Sequence, residues 1–144
     1  MNVRMLPMTA EHISAIAALE KQCFADPWSE DGLREELTNP CAAFLVALAD
    51  DRVVGYVGCH HVAGEGYITN VAVDPTCRRQ GIARALLSHA IEQWNALSRI
   101  TLEVRVSNRP AIALYEGLGF VCDGIRPNFY AHPTEDAAIY SWWR

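Results

Sequence analysis

Asn70-Val71-Ala72-Val73-Asp74-Pro75-Thr76-Cys77-Arg78-Arg79-Gln80-Gly81-Ile82-Ala83-Arg84-Ala85-Leu86-Leu87 is the stretch whose reading decides the fold. An apolar run, Val71-Ala72-Val73, stops at Asp74-Pro75, a turn signal. A basic segment with one glycine follows. Beyond it Ala83, Leu86, Leu87, Ala90, Ile91 and Trp94 share one side, which predicts an amphipathic helix over 82–97. The first turn of a helix carries unpaired N–H groups and a partial positive charge. Main-chain donors from Arg79 to Arg84 can therefore cradle a diphosphate. Gly81 has no Cβ, so backbone can come close to phosphates there, and Ala83 keeps the next approach small. Arg78, Arg79 and Arg84 add positive charge. Taken alone, the segment also suits an ordinary strand-to-helix turn with a solvated basic rim. It holds neither a G-x-x-x-x-G-K-[ST] loop nor a G-x-G-x-x-G fingerprint.

Upstream, Val3 to Leu6 reads as a strand, and Thr9 can cap a helix over 10–22. An aromatic-rich loop, Phe24-Ala25-Asp26-Pro27-Trp28, leads to Ser29, a cap for a second short helix ended by Asn39-Pro40. Phe44 to Ala49 and Arg52 to His61 flank Asp50-Asp51, a hairpin signature. After a turn at Ala63 to Gly66, Tyr67 to Val73 reads as a strand. Downstream, Ile100 to Val106 is a strand and Pro110 opens a helix over 111–117. Phe120 to Ile125 and Ala137 to Trp143 read as closing strands. The predicted order is β-α-α-β-β-β-α-β-α-β-β. Three consecutive antiparallel strands before a strand-helix-strand crossover predict an α/β fold: a twisted, mostly antiparallel mixed sheet with helices on both faces.

The chain of 144 residues is 51% apolar, enough for one domain with one core, and no linker or repeat divides it. The net charge of −5 argues against a general nucleic-acid binder and suits a cationic peptide partner, though acidic surfaces are also common among soluble proteins. Met1 to Leu6 does not read as a signal peptide, and no run is long enough to cross a bilayer. Five single cysteines without a C-x-x-C pair argue against a disulfide framework or structural zinc. The histidines lack H-E-x-x-H spacing, so no metal is expected, and a reducing cytoplasm fits.

Arg78-x-x-Gly81-x-Ala83 after Val71-Ala72-Val73 resembles the acetyl-CoA loop of the GNAT family of N-acetyltransferases. Asn108-Arg109-Pro110-Ala111-Ile112-Ala113-Leu114-Tyr115-Glu116-Gly117-Leu118-Gly119-Phe120 resembles that family's second signature. Ala83 stands where many members carry glycine, a permitted variant. Phe24-x-x-Pro27-Trp28-Ser29, Leu102-Glu103-Val104-Arg105-x-Ser107-Asn108 and Arg126-x-Asn128-Phe129-Tyr130 further resemble one branch, the bacterial RimI type. Enzymes of that branch acetylate the N-terminal alanine of a small-subunit ribosomal protein. The resemblance implies acetyl-CoA as cosubstrate and a basic protein N-terminus as acceptor.

Acetyl transfer to an amine needs a base, an oxyanion donor, an acid for the thiolate and alignment of the reactants. Glu103 is the expected general base. A carboxylate between Leu102 and Val104 in a covered sheet is out of place unless it faces a cleft, where desolvation favours its proton-accepting role. A surface glutamate paired with Arg105 is the plainer alternative. The resembling branch uses its matching glutamate as base. Tyr115 can protonate a departing thiolate, as the family's matching tyrosine does, or it is a half-buried core tyrosine. Asn108 can cap the helix after it, and the family's matching asparagine also bonds the pantetheine arm. Backbone groups of Val71, Ala72 and Val73 are expected beside that arm, with an N–H near Val71 as oxyanion donor. The expected cofactor set thus comprises Val71, Ala72, Val73, Arg78, Arg79, Gln80, Gly81, Ile82, Ala83, Arg84, Asn108 and Tyr115. Phe24, Trp28, Asn128 and Tyr130 are the expected acceptor contacts; Phe24 and Trp28 also read as loop anchors. A lysine or small-amine acceptor, and a non-catalytic coenzyme-binding module, remain the alternative functions.

Overall fold

The computed structural model describes residues 2–144. Its strands are β1 (Val3–Pro7), β2 (Ala42–Ala49), β3 (Arg52–Val62), β4 (Glu65–Val73), β5 (Arg99–Arg105), β6 (Val121–Ala131) and β7 (Thr134–Trp143). Its helices are α1 (Ile13–Cys23), α2 (Glu30–Glu36), α3 (Ile82–Gln93) and α4 (Arg109–Gly117), with 3₁₀ turns at Ala10–His12 and Pro75–Cys77. The chain order of strands and helices is the expected one. One sheet takes the strands in the order β1-β2-β3-β4-β5-β7-β6. All neighbours run antiparallel except β4 and β5, which are parallel because α3 returns the chain to the starting edge between them.

Helices cover the two faces unequally. On one face Ile13, Ile16 and Leu33 of α1 and α2 pack on Phe44, Val46, Tyr56 and Ala72. On the other, Ile82, Leu86, Leu87 and Tyr115 of α3 and α4 pack on Leu45, Val57, Ile100, Leu102 and Tyr140. The α1/α2 layer reaches β2, β3 and β4 and stops. Burial follows. The last six residues of β2 are buried without alternation, since both its faces are covered. β5 alternates: Ile100, Leu102 and Val104 are buried, while Arg99, Thr101, Glu103 and Arg105 are half-buried. Their side is the open face of the sheet.

Turn chemistry sets the registers. Asp50-Asp51 and Ala63-Gly64 each have two positive φ angles, the geometry that matches the twist of paired strands. Ser29 Oγ accepts the Gly32 N–H at 3.0 Å and caps α2.

Three expectations need correction. The helix expected over 82–97 ends at Gln93. There Trp94 leaves helical geometry, and Arg144 donates to the carbonyls of Ile91 (2.8 Å), Leu97 (2.9 Å) and Trp94 (3.3 Å), satisfying groups that the helix end frees. The turn expected up to Gly66 is only Ala63-Gly64, and β4 already starts at Glu65. The strand expected to end at Ile125 runs on to Ala131, and Arg126-Pro127-Asn128 form a bulge inside it, on an edge strand where a proline loses no ladder bond. Asn128 there has φ 53°, and its N–H donates to Asp136 at 2.9 Å. Trp142 packs on the core, whereas Trp143 is 62% exposed, with the Arg99 guanidinium 4.7 Å from its ring.

Candidate active site

β4 and β5 pair only at Glu65–Arg99, Gly66–Ile100 and Tyr67–Thr101. Beyond Tyr67 they separate. A bulge adds to this: Gly58 of β3 faces Asn70 while Cys59 faces Ile68, leaving Thr69 as the extra residue. The edge of β4 from Thr69 to Val73 that looks toward β5 therefore has no strand partner. The side chains there are committed to packing, Val71 and Val73 on the α3 side and Ala72 on the α1 side. What these residues offer a ligand is main chain.

The gap leads to the start of α3. Asp74 accepts from the Thr76 N–H at 2.8 Å and from Arg52 at 3.0 Å, fixing the turn after β4. The Thr76 amide is the main reason the Asp74 carboxyl sits below the usual carboxylate range. Cys77 and Ile82 are buried and pin both sides of the loop, while Arg78, Arg79, Gln80 and Gly81 between them are exposed. Arg79 has φ 62° and Gly81 φ 77°. Among the described residues, no main-chain N–H from 78 to 84 finds a carbonyl partner. A Cβ placed on Gly81 would meet nothing within 4 Å, so the space before these donors is open. Unpaired donors, a helix start and open space fit the diphosphate of coenzyme A. Arg84 reaches across to the Gly117 carbonyl at 3.5 Å and Arg78 to the Cys23 sulfur at 3.5 Å, so of the three arginines of this loop only Arg79 has no side-chain partner among the described residues.

α4 flanks this region. Asn108 Oδ1 caps it through the Ala111 N–H at 3.3 Å, the plainer of the two roles expected for it. Tyr115 is 8% exposed and packs on Phe120 with ring centres 5.9 Å apart. Burial, and secondly its neighbour Tyr130, push its phenol up to about 12. At neutral pH it is a proton donor. It is also a core residue, the plainer of its two readings.

Glu103 lies on the open face, its side chain 6% exposed. It does not pair with Arg105, which is held by Glu135 at 3.1 Å and by the carbonyls of His132 and Pro133. Glu103 Oε2 instead meets Arg126 at 3.0 Å, and the Tyr67 hydroxyl donates to Oε1. Burial first, then that bond, drive the Tyr67 phenol upward, so it stays a donor. Tyr130 is half-buried beside the same carboxylate, 4.4 Å from the Arg105 guanidinium and edge-on to Phe129 at 5.0 Å. Its phenol is raised by burial and next by the Glu103 charge. Tyr67 and Arg126 were not expected at the base. Tyr67 carries no local signal, for only the parallel register with Thr101 puts it next to Glu103.

The aromatic loop after α1 borders the same face. Phe24 and Trp28 pack against the α1/α2 core, and Trp28 lies edge-on to Phe44 at 5.9 Å, so both serve as anchors. His60, on the Tyr67 side of β3, bonds Glu36 at 2.9 Å, a structural pairing. A groove of about 430 Å³ runs past His60, Glu65, Tyr67 and Thr101. Among the described residues no three His, Cys, Asp or Glu gather in a way that could hold a metal ion.

Known proteins resemble this chain in sequence and in fold. The model of the acetyltransferase (GNAT) family matches residues 13–120. A [ribosomal protein bS18]-alanine N-acetyltransferase of Salmonella typhimurium is 38% identical over 140 residues, covering 92% of this chain and 91% of that protein. The protein of that name in Escherichia coli strain K12 is 38% identical over 120 residues, 82% of this chain and 79% of its own. The crystal structure of the ribosomal-protein-S18-alanine N-acetyltransferase from Escherichia coli superposes with a TM-score of 0.91 at 32% identity, over 99% of this chain and 94% of that one.

Proposed function

The chain belongs to the GNAT acetyltransferase family and is an N-acetyltransferase that uses acetyl-CoA; from that premise we propose its acceptor, the N-terminal α-amine, an alanine, of a small-subunit ribosomal protein. The observation that carries the reading is the placement of Glu103. It is a shielded carboxylate on an open sheet face, flanked by Tyr67, Tyr130 and Arg126. The names of full-length relatives at 38% identity support the acceptor. A free α-amine titrates near 8 and a lysine near 10.4, so a carboxylate base needs less help with the first.

Acetyl-CoA supplies the thioester. The residues of this chain supply the rest. N–H groups at 79–84 hold the diphosphate, with Arg79 adding charge. The free edge of β4 at Val71 and Val73 aligns the pantetheine arm, and an N–H near Val71 faces the carbonyl oxygen as charge builds on it. Glu103 takes a proton from the acceptor ammonium through a water, the freed amine attacks the thioester carbon to form the carbon–nitrogen bond, and the nitrogen sheds its second proton to solvent as the carbon–sulfur bond breaks. Tyr115, protonated at working pH, gives the leaving sulfur a proton. Phe24, Trp28, Asn128 and Tyr130 are the proposed acceptor contacts; Trp28 lies 6.4 Å ring to ring from His60, which lines the groove, and Tyr130 stands beside Glu103. We take the chain to act as one domain in the cytoplasm on a basic protein, in line with its net charge of −5. No helix among the described residues is long and apolar enough to cross a membrane.

An acetyl-transfer assay tests this with three acceptors: a peptide beginning with alanine, a lysine peptide with its N-terminus blocked, and a polyamine. Transfer to the first is expected to exceed the others by at least about tenfold in kcat/KM. Turnover of the polyamine alone overturns the acceptor assignment.

A further inference from the structure

Glu20, in the last turn of α1, is the one charged side chain with no solvent exposure among the described residues. A buried carboxylate is costly unless donors surround it, and an apolar side chain of similar size would fill the space at no such cost. Glu20 has three donors from three different elements. The Trp28 N–H reaches Oε1 at 2.9 Å, and Oε2 accepts from Tyr56 OH at 2.6 Å and Asn70 Nδ2 at 2.7 Å. Burial, and then the Glu20 charge, drive the Tyr56 phenol upward, so it remains a donor. The Glu20 carbonyl also accepts the Phe24 N–H at 2.9 Å where α1 ends. Trp28 belongs to the loop beside the acceptor groove. Asn70 sits at the β4 bulge, next to Val71, on the strand whose free edge faces the coenzyme.

We infer that Glu20 is a positioning residue that ties the acceptor loop to the thioester strand, so that filling either site sets the geometry of the other. The inference rests on the assignment of the 24–28 loop and the β4 edge to acceptor and coenzyme. A second tie runs the same way. Cys23, one turn on, donates to the Val73 carbonyl at 3.6 Å and receives Arg78 of the coenzyme loop at 3.5 Å. Rigid coupling through hydrogen-bonded elements is reciprocal, so coenzyme and acceptor strengthen each other's binding by one common factor. No reacting atom touches Glu20, so its loss acts through Trp28 and Asn70.

The test uses Glu20→Gln and Asn70→Ala in the full chain, with folding checked by circular dichroism. In Glu20→Gln the acceptor KM rises about tenfold while the Kd for coenzyme A stays within about twofold, since one charge-assisted bond to the loop is lost. Asn70→Ala cuts only the strand tie and gives a smaller rise, about threefold. Combined, the two fall short of the product of their single effects, as linked residues do. Independently of any acceptor, a 5-fluorotryptophan label reports Trp28 by fluorine NMR. Its resonance shifts when coenzyme A is added to the wild type and stays put in Glu20→Gln. An unmoved Trp28 signal in the wild type, or the same shift in both proteins, overturns the inference. An acceptor KM unchanged in Asn70→Ala does so too, even where Glu20→Gln fails to fold. A wild type whose Trp28 responds to coenzyme A but which acetylates no peptide leaves the coupling standing and removes the acceptor assignment instead.

Discussion

The loop at 78–84 presents main-chain N–H groups, whereas the face around Glu103 presents side chains drawn from β4, β5 and β6. The first is local: a turn, a glycine and a helix start within a few residues make the whole device. The second is assembled across the sheet. Tyr67 and Glu103 are 36 positions apart in the chain, and Arg126 stands on an edge strand two places away in the sheet. Chemistry built from backbone tolerates most side-chain changes and fails when φ is restricted. Chemistry built from side chains fails at single atoms.

Substitutions that hit one region and spare the other sharpen that contrast. The largest effect is expected at the base. Glu103→Gln keeps shape and removes the proton acceptor, so kcat for an alanine-started peptide falls by about 10²–10⁴, the usual contribution of a general base; steady-state assays at saturating acetyl-CoA read it. Next is Tyr115→Phe, with an expected kcat loss of about tenfold to a hundredfold and an unchanged Kd for coenzyme A, checked by single-turnover quench. The loop answers in the other currency. Gly81→Val forces a branched side chain into φ 77°, a strain of about 1–3 kcal/mol. It raises the coenzyme KM about tenfold and leaves kcat at saturation nearly intact. Equal kcat losses at Gly81 and Glu103 would break the contrast.

A separate effect, read in stability rather than activity, appears at high pH. Tyr115 is pushed up to about 12 in the folded protein, against about 10 when unfolded. Its neutral form is favoured by folding, so this contribution is complete below pH 10 and drains away as pH rises toward 12. The loss amounts to about 2–3 kcal/mol. Thermal unfolding of wild type and Tyr115→Phe between pH 9 and 12 reads it: the wild type is expected to lose stability faster, and parallel slopes contradict the burial argument.

The same contrast governs what could be read before the fold was known. Arg78-x-x-Gly81-x-Ala83 after an apolar strand is a short-range pattern, and the loop, its donors and α3 follow from it. The strand and helix order was equally legible, because hydrophobic period and turn residues are local properties. Glu103 could be singled out because a carboxylate interrupts apolar neighbours, yet the expected reason was incomplete. It sits on the face that α1 and α2 leave bare, not in a cleft between two full helix layers. Tyr67, Arg126, Glu20 and Asn70 were beyond reach as a group. Parallel pairing of β4 with β5, the bulge at Thr69 and the return of β6 create their contacts, and none of these is written within one segment. Phe24 and Trp28 had two readings, and packing on the α1/α2 core, with Trp28 edge-on to Phe44, bears out the loop-anchor one.

Calorimetric titration of acetyl-CoA into the wild type and Glu103→Gln, alongside their turnover, tests the division of labour most directly. Equal affinities with turnover lowered about 10²–10⁴-fold in the variant are the predicted result. A variant that loses coenzyme affinity together with activity, or binds normally and turns over at the wild-type rate, would contradict it.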